Sequence, residues 1–185
     1  HYTHSRLSSV LGVPFITVGA DASGRMDLDA LRRELANGDI GTIVATLGTT
    51  AAGRVDPLPD ILALAREAGA RVHVDAAYGG GAAFSERVAP RVPDLERADS
   101  VTIDPHKWFF QPYDIGALVV KHREVLRQTF HRTPEYYRHP SPEDAPLNWF
   151  EYSIEGTRRF RALKLWLSWK HLGSSGFARL IEHNV

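Results

Sequence analysis

Three short stretches concentrate the residue types that do chemistry. Asp104-Pro105-His106-Lys107-Trp108 follows Ser100-Val101-Thr102-Ile103, a run that reads as a strand. A lysine at a strand-to-loop edge, flanked by a histidine and an aromatic ring, can sit in a cleft instead of bulk water. At pH 7 only roughly one free lysine in a thousand is a neutral amine. Burial lowers the pKa and makes the amine a nucleophile toward an aldehyde. An isolated lysine is more often a solvated surface group, so the neighbouring stretches must decide. In Val72-His73-Val74-Asp75-Ala76-Ala77-Tyr78-Gly79-Gly80, a strand ends in a carboxylate followed by small residues. Ligands of open α/β sheets bind beyond the carboxyl ends of strands. An aspartate there can pair with a cationic ring nitrogen, and Ala77 with the glycines leaves room for a flat ring to approach the backbone. The same aspartate could simply cap a turn. His73 and Asp75 also form an H-x-D pair, but no third ligand stands at a suggestive spacing, so no metal site is read. Finally, Ala45-Thr46-Leu47-Gly48-Thr49-Thr50 carries hydroxyls to the end of another strand, a weak signal alone.

The elements that must position these residues follow from periodicity. Ser5 to Leu11 reads as the end of a helix stopped by Gly12 and Pro14. Phe15 to Val18 reads as a short strand. Leu28, Leu31 and Leu35 recur at helical spacing behind Asp27, a good N-cap. Ile43–Leu47 and Val72–Asp75 read as strands, and Ile61–Ala68 as a helix closed by Gly69. Ser100–Ile103 and Ala117–Val120 are further strands, their short link suggesting a local antiparallel pair. This alternation predicts an α/β fold with a mostly parallel sheet and helices on both faces. Between Thr133 and Asn148, Pro134, Pro140, Pro142 and Pro146 break regular structure, and loops of that length are usually functional or disordered. Phe160–Leu172 then reads as an amphipathic helix whose Trp166 and Trp169 fit core or interface equally.

Composition narrows the classes. The 185 residues are enough for a real core. Lys plus Arg and Asp plus Glu both number 22, so the basic excess of a nucleic-acid binder is missing. No apolar run approaches the ~20 residues of a membrane helix. Cysteine is absent, which excludes disulfides and cysteine chemistry. A cytoplasmic enzyme is the expectation. The chain starts at His1 and not at Met, and is read as part of a longer protein.

In their order, Ala45-Thr-Leu-Gly-Thr-Thr50, His73-Val-Asp-Ala-Ala-Tyr-Gly-Gly80, Ala98-Asp-Ser100 and Asp104-Pro-His-Lys-Trp108 resemble the group II pyridoxal-phosphate (PLP) dependent amino-acid decarboxylases. His1-Tyr2-Thr3 is similar to that family's His-Tyr-Ser segment, and Thr157-Arg-Arg-Phe160 to a helix start of its aromatic members. The resemblance implies a fold-type-I PLP-dependent transferase-like large domain over 1–150, with a mobile catalytic loop at about 131–148. Residues 151–185 would lead toward a small C-terminal domain that the chain lacks.

The resemblance also implies roles. Lys107 would hold PLP as a Schiff base, Asp75 would keep the ring nitrogen protonated, His1 would stack on one ring face and Ala77 would touch the other. Thr50 would contact the cofactor or the substrate carboxylate, and His106, Ser100 and Asp104 would lie toward the phosphate. Asp104 departs from the asparagine of the aromatic members, and a carboxylate beside a phosphate must be paired or turned away. Tyr136 would protonate the substrate carbon from the loop, usually across a homodimer interface, with Tyr137 as the alternative register. Phe at that position accompanies aldehyde synthases, so Tyr favours amine formation. Thr157 stands where a substrate selector would, pointing to an aromatic amino acid, with a phenolic one as the finer expectation. An aldehyde synthase, a decarboxylase of acidic or aliphatic amino acids, another fold-type-I enzyme and a non-catalytic binding fragment are the competing readings. No nucleic acid, membrane or metal partner is expected.

Overall fold

A computed structural model describes residues 1–132 and 147–185 of the chain. They form two compact units, one of residues 1–119 with 161–185 and one of 120–160.

In the first unit, α1 (Tyr2–Leu11) is stopped at Gly12, whose φ of 66° lets its N–H turn back to the carbonyls of Ser8 and Ser9. Helix α2 (Leu28–Ala36) begins where expected, because Asp27 accepts from the backbone N–H groups of Asp29 and Ala30 at 2.8 and 3.0 Å. Its Leu31 is buried. Strand β1 (Thr42–Thr46) leads into α3 (Leu58–Ala68), closed by the left-handed Gly69, and then into β2 (Arg71–Asp75). After three short 3₁₀ turns come β3 (Ser100–Ile103) and β4 (Ala117–Val120). The sheet order is β1-β2-β3-β4, and β1/β2 and β2/β3 are parallel.

Strand alternation divides the two faces. Ile43, Ala45, Val72, Val74 and Val101 point into a core completed by Leu31, Leu58, Ile61, Ala65 and Ile181. Thr46, His73, Asp75, Ser100 and Thr102 are only partly buried and share the opposite face. The buried carboxylate of Asp56 accepts from the backbone N–H groups of Met26 and Thr46, both at 2.7 Å, and so ties β1 to the segment before α2.

Two expectations are corrected. Phe15–Val18 is not a strand, and Phe15 and Ile16 are exposed. Strand propensity needs a ladder partner, and among the described residues none lies beside this segment; only an isolated bridge, Ala20 to Met26, follows it. The helix expected over Phe160–Leu172 runs as α5 from Ala162 to His183, with a break at Gly173 (φ 66°, ψ 174°). Its second half buries Phe177 and Ile181. Trp169 belongs to an aromatic cluster, 4.8 Å from Phe177 and 5.5 Å from Phe84, whereas Trp166 is exposed.

The second unit contains α4 (Arg123–Phe130) and a short turn at Trp149–Tyr152. Arg127 Nε donates to the buried Glu151 at 3.1 Å. Thr157 is exposed there. Tyr136 and Tyr137 lie outside the described residues. Among the described residues, no helix is long and apolar enough to cross a membrane.

Candidate active site

The polar face of the sheet becomes a site at the carboxyl ends of β1, β2 and β3. Register places Thr46, Asp75 and Thr102 side by side in one row, and His73 beside Ser100 in the row behind. His73 sits between two hydroxyls, with Nδ1 2.8 Å from Ser100 Oγ and Nε2 3.1 Å from Thr102 Oγ1. Burial, then the neighbouring His4, hold the His73 imidazole below its ordinary pKa, so it stays neutral. Asp75 accepts from His4 Nε2 at 2.8 Å and from the Ala77 N–H at 3.2 Å. The hydrogen bond from His4 holds its carboxyl below the usual range, against the opposing effect of burial.

The lysine is delivered by the chain leaving β3. Asp104 N–H donates to the Ala77 carbonyl at 3.2 Å, and Lys107 N–H to the Asp104 carbonyl at 2.9 Å, so a tight turn follows the strand. Within it Lys107 Nζ lies 2.9 Å from Asp104 Oδ2, and His106 Nε2 lies 3.5 Å from the same oxygen. His106 Nδ1 is 2.5 Å from the Ile115 carbonyl, which can only accept, so this nitrogen carries the hydrogen. The glycines after Asp75 allow close packing beside this turn: a Cβ on Gly81 would lie 2.7 Å from Trp108 Cβ.

Asp75, Ala77, Thr50, Asp104, Lys107 and His4 line one cleft of about 580 Å³, with His1 also on its wall. The expected pair, Asp75 and Lys107, is therefore brought together. Asp104 is paired with the lysine, which answers the repulsion its charge raised. His1 caps α1, its Nδ1 accepting from the Thr3 N–H at 3.3 Å, with its ring 4.4 Å from Tyr2. Ser100 and His106 are not among the cleft-lining residues: one hydroxyl is engaged by His73, and one ring is turned to Ile115. His4 was missed by sequence reasoning. Its local signal was its place three residues after His1, the N-cap of α1, which sets the two toward one side but names no partner for His4. Among the described residues no group of three or more metal-ligating side chains occurs.

Comparison with known proteins places this geometry. The model of the pyridoxal-dependent decarboxylase conserved domain matches residues 1–185. The chain is 34% identical to the aromatic-L-amino-acid decarboxylase of Bacillus atrophaeus, covering 100% of the chain and 40% of that relative. It is 38% identical to the L-2,4-diaminobutyrate decarboxylase of Rhizobium meliloti, over 98% of the chain and 38% of that protein. The crystal structure of Oryza sativa TDC with PLP and tryptamine superposes with a TM-score of 0.89 at 27% identity, covering 97% of the chain and 39% of that structure. The chain thus spans about 40% of the length of the curated relatives it matches.

The cleft's own chemistry fits pyridoxal phosphate. An ionised carboxylate suits a protonated ring nitrogen, a lysine amine suits the aldehyde, and Ala77 puts only a methyl group into the cleft they share. On this agreement between a match along its whole length and the groups in its cleft, the chain belongs to the pyridoxal-dependent decarboxylase family, with the α/β architecture of the fold-type-I PLP enzymes.

Proposed function

We propose that the protein containing this chain releases carbon dioxide from an L-amino acid, an aromatic and preferably phenolic one, to give the amine. The observation that carries this reading is the placement of the Asp75 carboxylate and the Lys107 amine in one cleft, at the ends of adjacent parallel strands. Bound PLP supplies the electron sink that receives the electrons of the breaking Cα–carboxylate bond. Lys107 offers the nitrogen that holds the cofactor. Asp104 Oδ2, 2.9 Å away, is the acceptor nearest a proton on Nζ. Asp75, kept ionised, would hold a proton on the ring nitrogen. Ala77 and His1, both on the cleft wall, would lie against the ring, and the Thr50 hydroxyl would be a donor for the substrate carboxylate. Tyr136 would deliver a proton to Cα in place of the departed carbon dioxide, a positioned transfer worth roughly 10²–10⁴ in rate. Thr157 selects the side chain, its hydroxyl favouring a phenol over an indole; a methylene-sized difference is worth about 1–3 kcal/mol.

An aliphatic amino acid is the second reading, favoured by the 38% identity to the L-2,4-diaminobutyrate decarboxylase. A carbon dioxide release assay on the full-length protein, with PLP and a panel of aromatic, acidic and aliphatic amino acids, separates the two. Highest turnover with tyrosine-like substrates is expected, and a preference for diaminobutyrate reverses the ranking. Lys107→Ala should abolish the absorbance of lysine-bound PLP along with carbon dioxide release. A retained band rejects the assignment of Lys107.

A further inference from the structure

We propose that His4 is a positioning residue for Asp75, fixing the plane of that carboxylate from α1 so that a lone pair stays directed at the ring nitrogen of the cofactor. This inference rests on the reading that Asp75 faces that nitrogen. A carboxylate on a strand end can rotate about its terminal torsion, and a rotating acceptor is a poor partner for a fixed ring. Here both oxygens are held from opposite directions in the sequence. The Ala77 N–H, two residues on, donates to Oδ1 at 3.2 Å, and His4, 71 residues before, reaches Oδ2 at 2.8 Å. Each carboxylate oxygen has two lone-pair sites, so one remains on each for a third donor.

The direction of the His4 bond is determined by chemistry. The Asp75 carboxyl titrates below its ordinary range and is ionised, so Oδ2 only accepts. His4 Nε2 therefore carries the hydrogen. Both side chains are largely shielded, with relative exposures of 24% and 13%, which strengthens a charge-assisted bond. His73, the other imidazole near this carboxylate, is engaged by the hydroxyls of Ser100 and Thr102 and lies edge-on 6.2 Å from the His4 ring. It cannot replace His4 as a donor to Asp75. Lys107 paired with Asp104, His1 bonded to Thr3, and Tyr78 packed against Trp108 are the other titratable side chains on the cleft wall. The helix matters as much as the histidine. Gly12 stops α1 and His1 caps it, and α1 buries no residue of its own, so the His4–Asp75 bond is its polar anchor to the end of β2.

The test uses the full-length protein and measures the PLP dissociation constant, with the visible circular dichroism of bound PLP as a second readout. His4→Phe removes the donor and should weaken PLP binding on the order of tenfold, the scale of one charge-assisted hydrogen bond, and change the dichroic band. His4→Gln places an N–H near the position of Nε2 and should restore binding to within about twofold. The effect of His4→Phe should disappear in an Asp75→Asn background, because the two residues then act as one unit. Wild-type affinity and dichroism in His4→Phe overturn the proposal. So does a His4→Phe loss that persists undiminished with Asp75→Asn, since a role in folding alone gives that result. Should His4→Phe not fold, His4→Asn, whose amide is too short to reach, takes its place against His4→Gln, with the same outcomes. If wild-type protein binds PLP but Lys107→Ala keeps the lysine-bound band, the functional reading falls and this proposal with it. If Lys107 and Asp75 variants behave as expected and His4→Phe does not, only this proposal falls.

Discussion

The Asp104 carboxylate, 2.9 Å from the Lys107 ammonium, changes what that lysine can do. The lysine side chain is 38% exposed, so the pair adds little to stability. In the proposed reaction its consequence is local: an acceptor stands beside the nitrogen that would have to lose a proton before attacking an aldehyde. Tyr136 is the other residue on which the outcome of that proposed reaction depends. With a phenol donor the substrate carbon would be protonated and amine would leave; without one the carbon would stay open to dissolved dioxygen, which takes it to the aldehyde with release of ammonia and hydrogen peroxide. Tyr136→Phe should therefore lower amine output by about 10²-fold or more, the scale of a lost proton donor, and raise the aldehyde fraction. Chromatography of amine and aldehyde products checks this, and unchanged amine output removes Tyr136 from the role.

The sheet is the element that turns separate motifs into a site, and its stability depends on polar groups tied to its ends. Asp56 satisfies two backbone N–H groups from different segments. Asp56→Ala leaves both part-buried donors unmatched and should cost about 2 kcal/mol, read by urea unfolding; a loss below about 0.5 kcal/mol contradicts this account. His73 gives the same face a pH dependence. Its folded pKa lies below the ordinary 6.5, because burial penalises the cation. The unfolded chain therefore binds a proton first on acidification. The neutral His73 contribution is fully present above about pH 6.5 and is lost as pH falls toward the depressed folded value. The thermal midpoint should drop as pH falls below about 6.5, and His73→Gln should flatten that slope. An equal slope in the variant assigns the pH dependence elsewhere.

At the scale of the whole molecule, the first unit carries apolar surface that the described residues leave uncovered. On α1, Tyr2, Val10 and Leu11 are exposed to 67%, 76% and 72%, and on α5 Trp166 and Leu167 are exposed to 56% and 53%. Apolar surface of this kind marks contact regions. It supports the proposal of a homodimer whose cleft lies at the subunit interface, as the resemblance implies. Sedimentation velocity of the full-length protein should give twice the chain mass, and a monomer that still binds PLP and releases carbon dioxide refutes the shared site.

Part of the candidate site was legible in the amino-acid order, for a physical reason. Strand ends, small residues and charged side chains each leave a local signature, weak singly; their order, through the family resemblance, named Asp75, Ala77, Thr50 and Lys107, and the structure sets these four on one cleft. The helices at Asp27 and Gly69 were legible because caps are local too. Tertiary structure alone decided which groups meet. Parallel register set His73 beside Ser100 and Asp75 beside Thr102, turned Ser100 and His106 to other partners, left Phe15–Val18 without a ladder, and carried α5 past Gly173. It also brought His4 to Asp75 across 71 residues, a contact no spacing rule contains, because it depends on where a helix comes to rest over a sheet.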